Sequence, residues 1–109
     1  MPTQNIKTPG YLSTKAKKIW KKLVTEYGID DSGGLAILTT GLEAYDRAAS
    51  ARRQIDDEGM TITDRFGAQK PHPLLACERD ARSQWLAALK SLNLDIEPLR
   101  DGPGRPGGR

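Results

Sequence analysis

The chain has 109 residues, 37% of them hydrophobic and 6% aromatic, with 17 basic and 14 acidic side chains, one cysteine and one histidine. That length holds one domain, the lone Cys77 excludes an internal disulfide, and the lone His72 leaves no ligand set for a structural zinc. No apolar run approaches the roughly 18 residues that span a bilayer, and the start MPTQNIKTPG lacks an apolar signal core, so a soluble protein that stays inside the cell that makes it is expected.

The net charge of +3 conceals a sharper pattern. Residues 1–28 carry six lysines against Glu26, a balance of +5; residues 29–58 carry seven acids against Arg47, Arg52 and Arg53, a balance of −4. The basic segment can therefore meet nucleic acid, or the acidic segment of its own or a neighbouring chain. The core is thin for a freestanding domain, and self-association is a natural way to bury more apolar surface.

Residues 1–11 read as a flexible arm, and residues 12–100 as a single helical domain. The first helix starts at Ser13, a residue type that caps helix N-termini, and stops near Gly28. At about 100° per residue, Ala16, Ile19, Trp20, Leu23, Val24 and Tyr27 share one arc, while Lys15, Lys17, Lys18, Lys21 and Lys22 share the opposite one. The lysine arc is either a solvated face or a contact for duplex DNA, and it is the first choice for DNA.

The second helix is capped by Asp31 or Ser32 and continues to about Glu58, through Gly33, Gly34 and Gly41, which weaken its start. At 1.5 Å per residue it is roughly 40 Å long, more than a domain this size needs to cover its own core. Leu35, Leu38, Leu42, Tyr45 and Ala49 have coiled-coil-like spacing. The Leu35–Leu42 end is expected to form a helical hairpin with the first helix. Past Ala49 the intramolecular partners run short, which puts a subunit interface on Tyr45, Ala48, Ala49, Arg52 and Ile55. Arg47, Arg52 and Arg53 are the second choice for DNA, together with Arg105 and Arg109 of the tail.

Gly59 ends this helix, Met60 to Thr63 alternate as a short strand, and Asp64 to Gly67 supply turn chemistry, so a small β-hairpin comes next. Gly59, Gly67, Lys70, His72 and Pro73 form the hairpin-to-helix junction, with His72 bonded to the hairpin or capping the next helix. Proline is tolerated in a first helical turn, and Pro73 opens a third helix that runs to about Asn93. Leu74, Cys77, Ala81, Trp85, Ala88, Leu89 and Leu92 lie on one face of it, which makes Cys77 a small core residue rather than a nucleophile. Leu94 and Ile96 alternate before Pro98 as a short extended arm that packs on a neighbour. The tail 101–109, DGPGRPGGR, has no apolar residue and reads as disordered. Its Pro-Gly-Arg-Pro core lacks the flanking arginine of a minor-groove hook, leaving Arg105 and Arg109 as non-specific phosphate partners.

Nothing in the chain reads as an enzyme. There is no GxxxxGK[ST] phosphate loop, and any nucleophile–histidine pair would rest wholly on His72, between two prolines. Asp56, Asp57 and Glu58 read as a solvated helix end rather than a metal site. Acids at a helix C-terminus oppose the dipole, which calls for basic groups from another element nearby. No cofactor and no metal is expected.

The order of helix, long helix, hairpin, Lys-Pro-His-Pro and helix resembles the compact branch of the phage terminase small subunits. The resemblance runs from about Leu12 to Arg100 and is carried by the Leu12-Ser13 start with Trp20, the long second helix, the Gly59 hairpin, Lys70 with His72-Pro73, and the Leu92 to Pro98 exit. It implies a mainly helical, ring-forming protomer that recognises the packaging start on double-stranded viral DNA. It also implies delivery of that DNA to a large subunit holding the ATPase and nuclease, with contact to that subunit through Leu94–Arg109. No DNA-contact residue transfers from the family. Many relatives in the wider class carry a separate N-terminal helix-turn-helix domain, for which about eleven residues before the first helix leave no room.

Two rival classes share features with this reading. A small helical transcription regulator shares the basic helix, but its second helix should carry base-reading side chains, where this one opens with Gly33, Gly34 and Leu35. A structural adaptor of the phage head or tail shares the helical character without needing the lysine face.

Overall fold

Ser13 starts the first helix as its residue type dictates: its hydroxyl accepts the Ala16 N–H at 3.0 Å, which satisfies one of the donors a helix N-terminus leaves unpaired. In the computed structural model, which describes residues 7–94, α1 spans Thr14–Tyr27 and closes on Gly28 in the left-handed conformation. Asp31 then caps α2, Ser32–Glu58, by accepting the Gly34 N–H at 2.8 Å. Next come a hairpin of β1, Thr61–Thr63, and β2, Gln69–Pro71, and then α3, Leu74–Ser91. The protein is thus mainly helical, with three helices and one two-stranded antiparallel sheet among the described residues.

Both flanking helices run antiparallel to α2. Trp20 Nε1–H meets Thr39 at 3.2 Å and Ser13 meets Asp46, so α1 descends as α2 rises. Along α3 the pairs run from Arg47 with Gln84 to Arg52 with Glu78, the same antiparallel sense. The core at the α1 end gathers Leu12, Ala16, Trp20, Ile29, Leu38 and Leu42, with Trp85, Leu92 and Leu94 against it. The far half of α2 is covered as well. Ala51 and Ile55 are 4% and 1% exposed. The expectation that intramolecular partners run short past Ala49 is therefore corrected. The third helix lies along the second, and Ile55 is core within the protomer rather than a surface open to another copy.

Gly41 has a reason that sequence did not show. A Cβ there would lie 2.5 Å from Ala88 Cβ and 3.2 Å from Trp85, so the glycine sets how closely α2 and α3 approach. The third helix also ends slightly short of its expected limit. Asn93 takes a left-handed conformation, φ 59°, and Leu94 N–H returns to Leu89 O at 3.2 Å, closing the last turn. The arm beyond Leu94, and the tail with Arg105 and Arg109, lie outside the described residues.

The hairpin is built by Asp64 and anchored by His72. The Asp64 carboxylate accepts the N–H groups of Phe66 and Ala68 at 2.8 and 2.9 Å, and Gly67 supplies φ 86°. Lys70 pairs with Asp64 at 3.3 Å. These backbone donors, first Ala68 and then Phe66, hold the Asp64 carboxyl below its ordinary range. His72, 4% exposed, donates its backbone N–H to Met60 O at 2.7 Å. Its Nδ1 accepts the Leu74 N–H at 3.0 Å, and Nε2–H donates to Glu58 Oε1 at 2.6 Å. One imidazole therefore ties the end of α2, the hairpin and the start of α3 together. It supplies the side-chain cap that Pro73 cannot give. The acidic end of α2 thus meets a ring N–H donor at Glu58 and its own Arg52, 3.8 Å from Asp56, rather than the cation from another element that sequence called for.

Candidate nucleic-acid interface

Amphipathicity places the lysines. Burial of Ala16 and Trp20 against α2 fixes the rotation of α1 about its axis, and this turns the opposite arc outward. Lys15, Lys18, Lys21 and Lys22 are exposed and Lys17 is half-buried. Lys18, Lys21 and Lys22 occupy successive turns on one side, and Lys15 extends the row toward the N-terminus.

Five acids of residues 31–58 are engaged elsewhere. Glu43 accepts the Tyr11 hydroxyl at 2.5 Å, and that hydrogen bond raises the Tyr11 pKa above its ordinary value. Asp46 accepts both the N–H and the hydroxyl of Ser13, at 2.8 and 2.5 Å. Asp31 caps α2, Asp56 faces Arg52, and Glu58 holds His72. The acidic segment thus meets the chain just before α1, not the lysines. Among the described residues, no ion pair involves Lys15, Lys17, Lys18, Lys21 or Lys22.

The arginines divide differently. Arg47 is exposed and donates to Gln84 at 3.2 Å, and Arg53 is exposed. Arg52 is half-buried and bonds to Glu78 at 3.2 Å, so its charge is matched inside the protomer. Arg47 and Arg52 thus bond to α3 and border the α2–α3 seam, away from the lysine row of α1. Of the residues expected at a subunit interface, Tyr45, Ala48, Ala49 and Arg52 line one groove, while Ile55 is buried below it.

Sequence reasoning missed three features. The first is the clamp of Glu43 and Asp46 on Tyr11 and Ser13. Its signal was their spacing of three, which puts both acids on one side of α2. The second is Glu78, buried in the expected apolar face of α3, with Arg82 four residues on as its signal. The third is the hairpin tip, where Phe66 is 84% exposed beneath the Arg65 guanidinium.

Among the described residues no group of three or more His, Cys, Asp or Glu side chains is arranged to hold a metal ion. Nor is any helix among them long and apolar enough to cross a membrane. The family model of the phage terminase small subunit matches residues 16–98. That covers about three-quarters of the chain and spans all three helices and the hairpin, so the chain belongs to the phage terminase small-subunit family. No curated protein and no solved structure matches it.

Proposed function

We propose that this chain is the DNA-recognising, non-catalytic subunit of a phage packaging terminase, and that it engages double-stranded viral DNA through the lysine face of α1. Membership in the family carries a role in phage genome packaging, and small subunits of this family are generally non-catalytic. The observation behind the DNA reading is the uncompensated lysine row. Five cations sit on one helical face without an ion pair, while Glu43 and Asp46 of α2 are held by Tyr11 and Ser13. Such a face releases counterions from a phosphate backbone, which gives affinity that is strong at low salt and largely independent of sequence.

Repetition of this face around a homo-oligomeric ring would give a continuous positive band, and the bound DNA would pass to the large subunit, where the ATPase and nuclease act. Lysine footprinting tests the interface. Acylation of Lys18, Lys21 and Lys22 is expected to fall several-fold when saturating duplex DNA is present, while Lys90 on α3 keeps its reactivity. Equal reactivity with and without DNA would reject this face.

A further inference from the structure

Beside the α2–α3 seam lies an open groove of about 350 Å³. Ala48 and Ala49 leave the dent, and Tyr45 and Trp85, edge to face at 5.6 Å between centroids, form its wall. Leu86, 57% exposed, forms its lip. The other end of the groove carries two guanidiniums, those of Arg52 and Arg82, whose charge is balanced by Glu78 and by Asp56, 3.8 Å from Arg52, but which offer more N–H donors than these carboxylates take up. Glu78, 7% exposed, takes Arg52 on one carboxylate oxygen at 3.2 Å and Arg82 on the other at 2.5 Å. Two guanidiniums therefore share one buried carboxylate, and Arg52 Nε is buried without a hydrogen-bond partner among the described residues.

A groove that is apolar along one wall and rich in guanidinium N–H donors at one end suits an extended segment carrying apolar and acidic side chains together. The chain contains such a segment directly after Leu94, in Asp95, Ile96, Glu97, Pro98 and Leu99. The family match continues to residue 98, so this segment belongs to the matched domain rather than to the Gly/Pro/Arg tail. We propose that residues 95–99 of a second copy occupy this groove. Ile96 and Leu99 are the apolar side chains this segment offers to Ala48, Ala49 and Trp85, and Asp95 and Glu97 are the acids it offers to Arg52 and Arg82.

Reach favours a second copy over the same chain. From Glu78 to Leu92, α3 covers about 21 Å at 1.5 Å per residue. Glu97 stands three residues past Leu94, a span of at most about 10 Å. The chain's own acids therefore fall short of the Arg52–Glu78 end, which an arm entering from a neighbour can reach. Groove and arm are different surfaces, so the contact is heterologous and closes into a ring or extends as a filament according to its rotation.

This inference rests on the self-association in the proposed function, and the test separates the two. In a Cys77→Ser background, full-length chains carrying only Ala49→Cys are mixed with chains carrying only Ile96→Cys and oxidised mildly. The geometry predicts a disulfide-linked heterodimer, because bonding requires Cα atoms within about 7 Å. Replacing Ala49→Cys by Ala36→Cys as the partner is expected to lower the yield at least tenfold. Ile96→Asp and Glu97→Arg, which lie beyond the helical core, are expected to weaken self-association at least tenfold by native mass. A large native mass with no heterodimer, and with no effect of Ile96→Asp, would overturn the arm while leaving self-association intact. A wild-type chain that stays monomeric would overturn both.

Discussion

Gly41 and Ala88 face each other across the α2–α3 seam so closely that a Cβ on Gly41 would come within 2.5 Å of the alanine methyl. The glycine costs α2 roughly 1 kcal/mol of intrinsic helix propensity relative to alanine, and it permits the close approach that buries Leu42 and Ala44. Gly41→Ala is thus expected to destabilise the protein by about 1–3 kcal/mol, the overpacking term outweighing the propensity gain. Urea unfolding measures this. A variant more stable than wild type would mean that the seam is not tightly closed.

His72 joins three elements, so its loss should be felt beyond its own position. His72→Ala removes the Leu74 cap and the tie to Glu58. A cost of about 1–3 kcal/mol is expected, in line with a lost cap and a buried hydrogen-bond network. Amide exchange should accelerate most in the first turn of α3 and in the hairpin. Uniform acceleration across α1 as well would argue against a local clasp.

Acid should loosen the same corner. The hydrogen bond from His72, then that from Gln54, holds Glu58 below the ordinary carboxylate range, and backbone donors do the same for Asp64. A depressed folded-state pKa contributes stability above the unfolded value, and that contribution is lost as pH falls through the folded value. The thermal midpoint is expected to hold from neutral pH to about 5 and to drop below about 4, where unfolded carboxylates protonate. Glu58→Gln and Asp64→Asn should each flatten that drop, and an unaltered slope in both would show that other carboxylates control it.

The Arg52–Glu78–Arg82 triad makes a graded prediction. Glu78→Ala leaves two guanidiniums without their shared acceptor, but Arg52 and Arg82 are 43% and 62% exposed in their side chains and can rehydrate. The expected cost is about 1–2 kcal/mol, below that of breaking a fully buried pair. Arg82→Ala should cost less, since Glu78 keeps Arg52. A larger loss for Arg82→Ala than for Glu78→Ala in denaturant titrations would invert the assigned hierarchy.

Local chemistry was the legible part of the fold. Ser13, Gly28 and Asp31 announce helix ends because capping depends on a residue and its next few backbone groups. The Asp64–Gly67 turn is similarly local, and the membership first suggested by the order of elements is the one the family model shows. What stayed hidden depends on partners distant in sequence. Ile55 looked like a surface for another chain because nothing within α2 indicates that α3 lies over it. Gly41 looked like a weak point because its benefit resides in Ala88. Glu78 is charged in sequence and buried in space, since its two arginines come from different helices. The lysine row could be read from periodicity, but that Glu43, Asp46 and Glu58 are spent on Tyr11, Ser13 and His72 appears only in three dimensions.

The measurement that bears most directly on the DNA-binding face is the salt dependence of duplex affinity, compared between wild type and the Lys18→Gln, Lys21→Gln, Lys22→Gln triple variant. Neutralising three phosphate contacts should reduce the slope of log K against log salt by about 2.7 per engaged protomer, with the unfolding midpoint unchanged because these side chains are exposed. A triple variant with wild-type affinity and slope would contradict the assignment of α1 as the nucleic-acid interface.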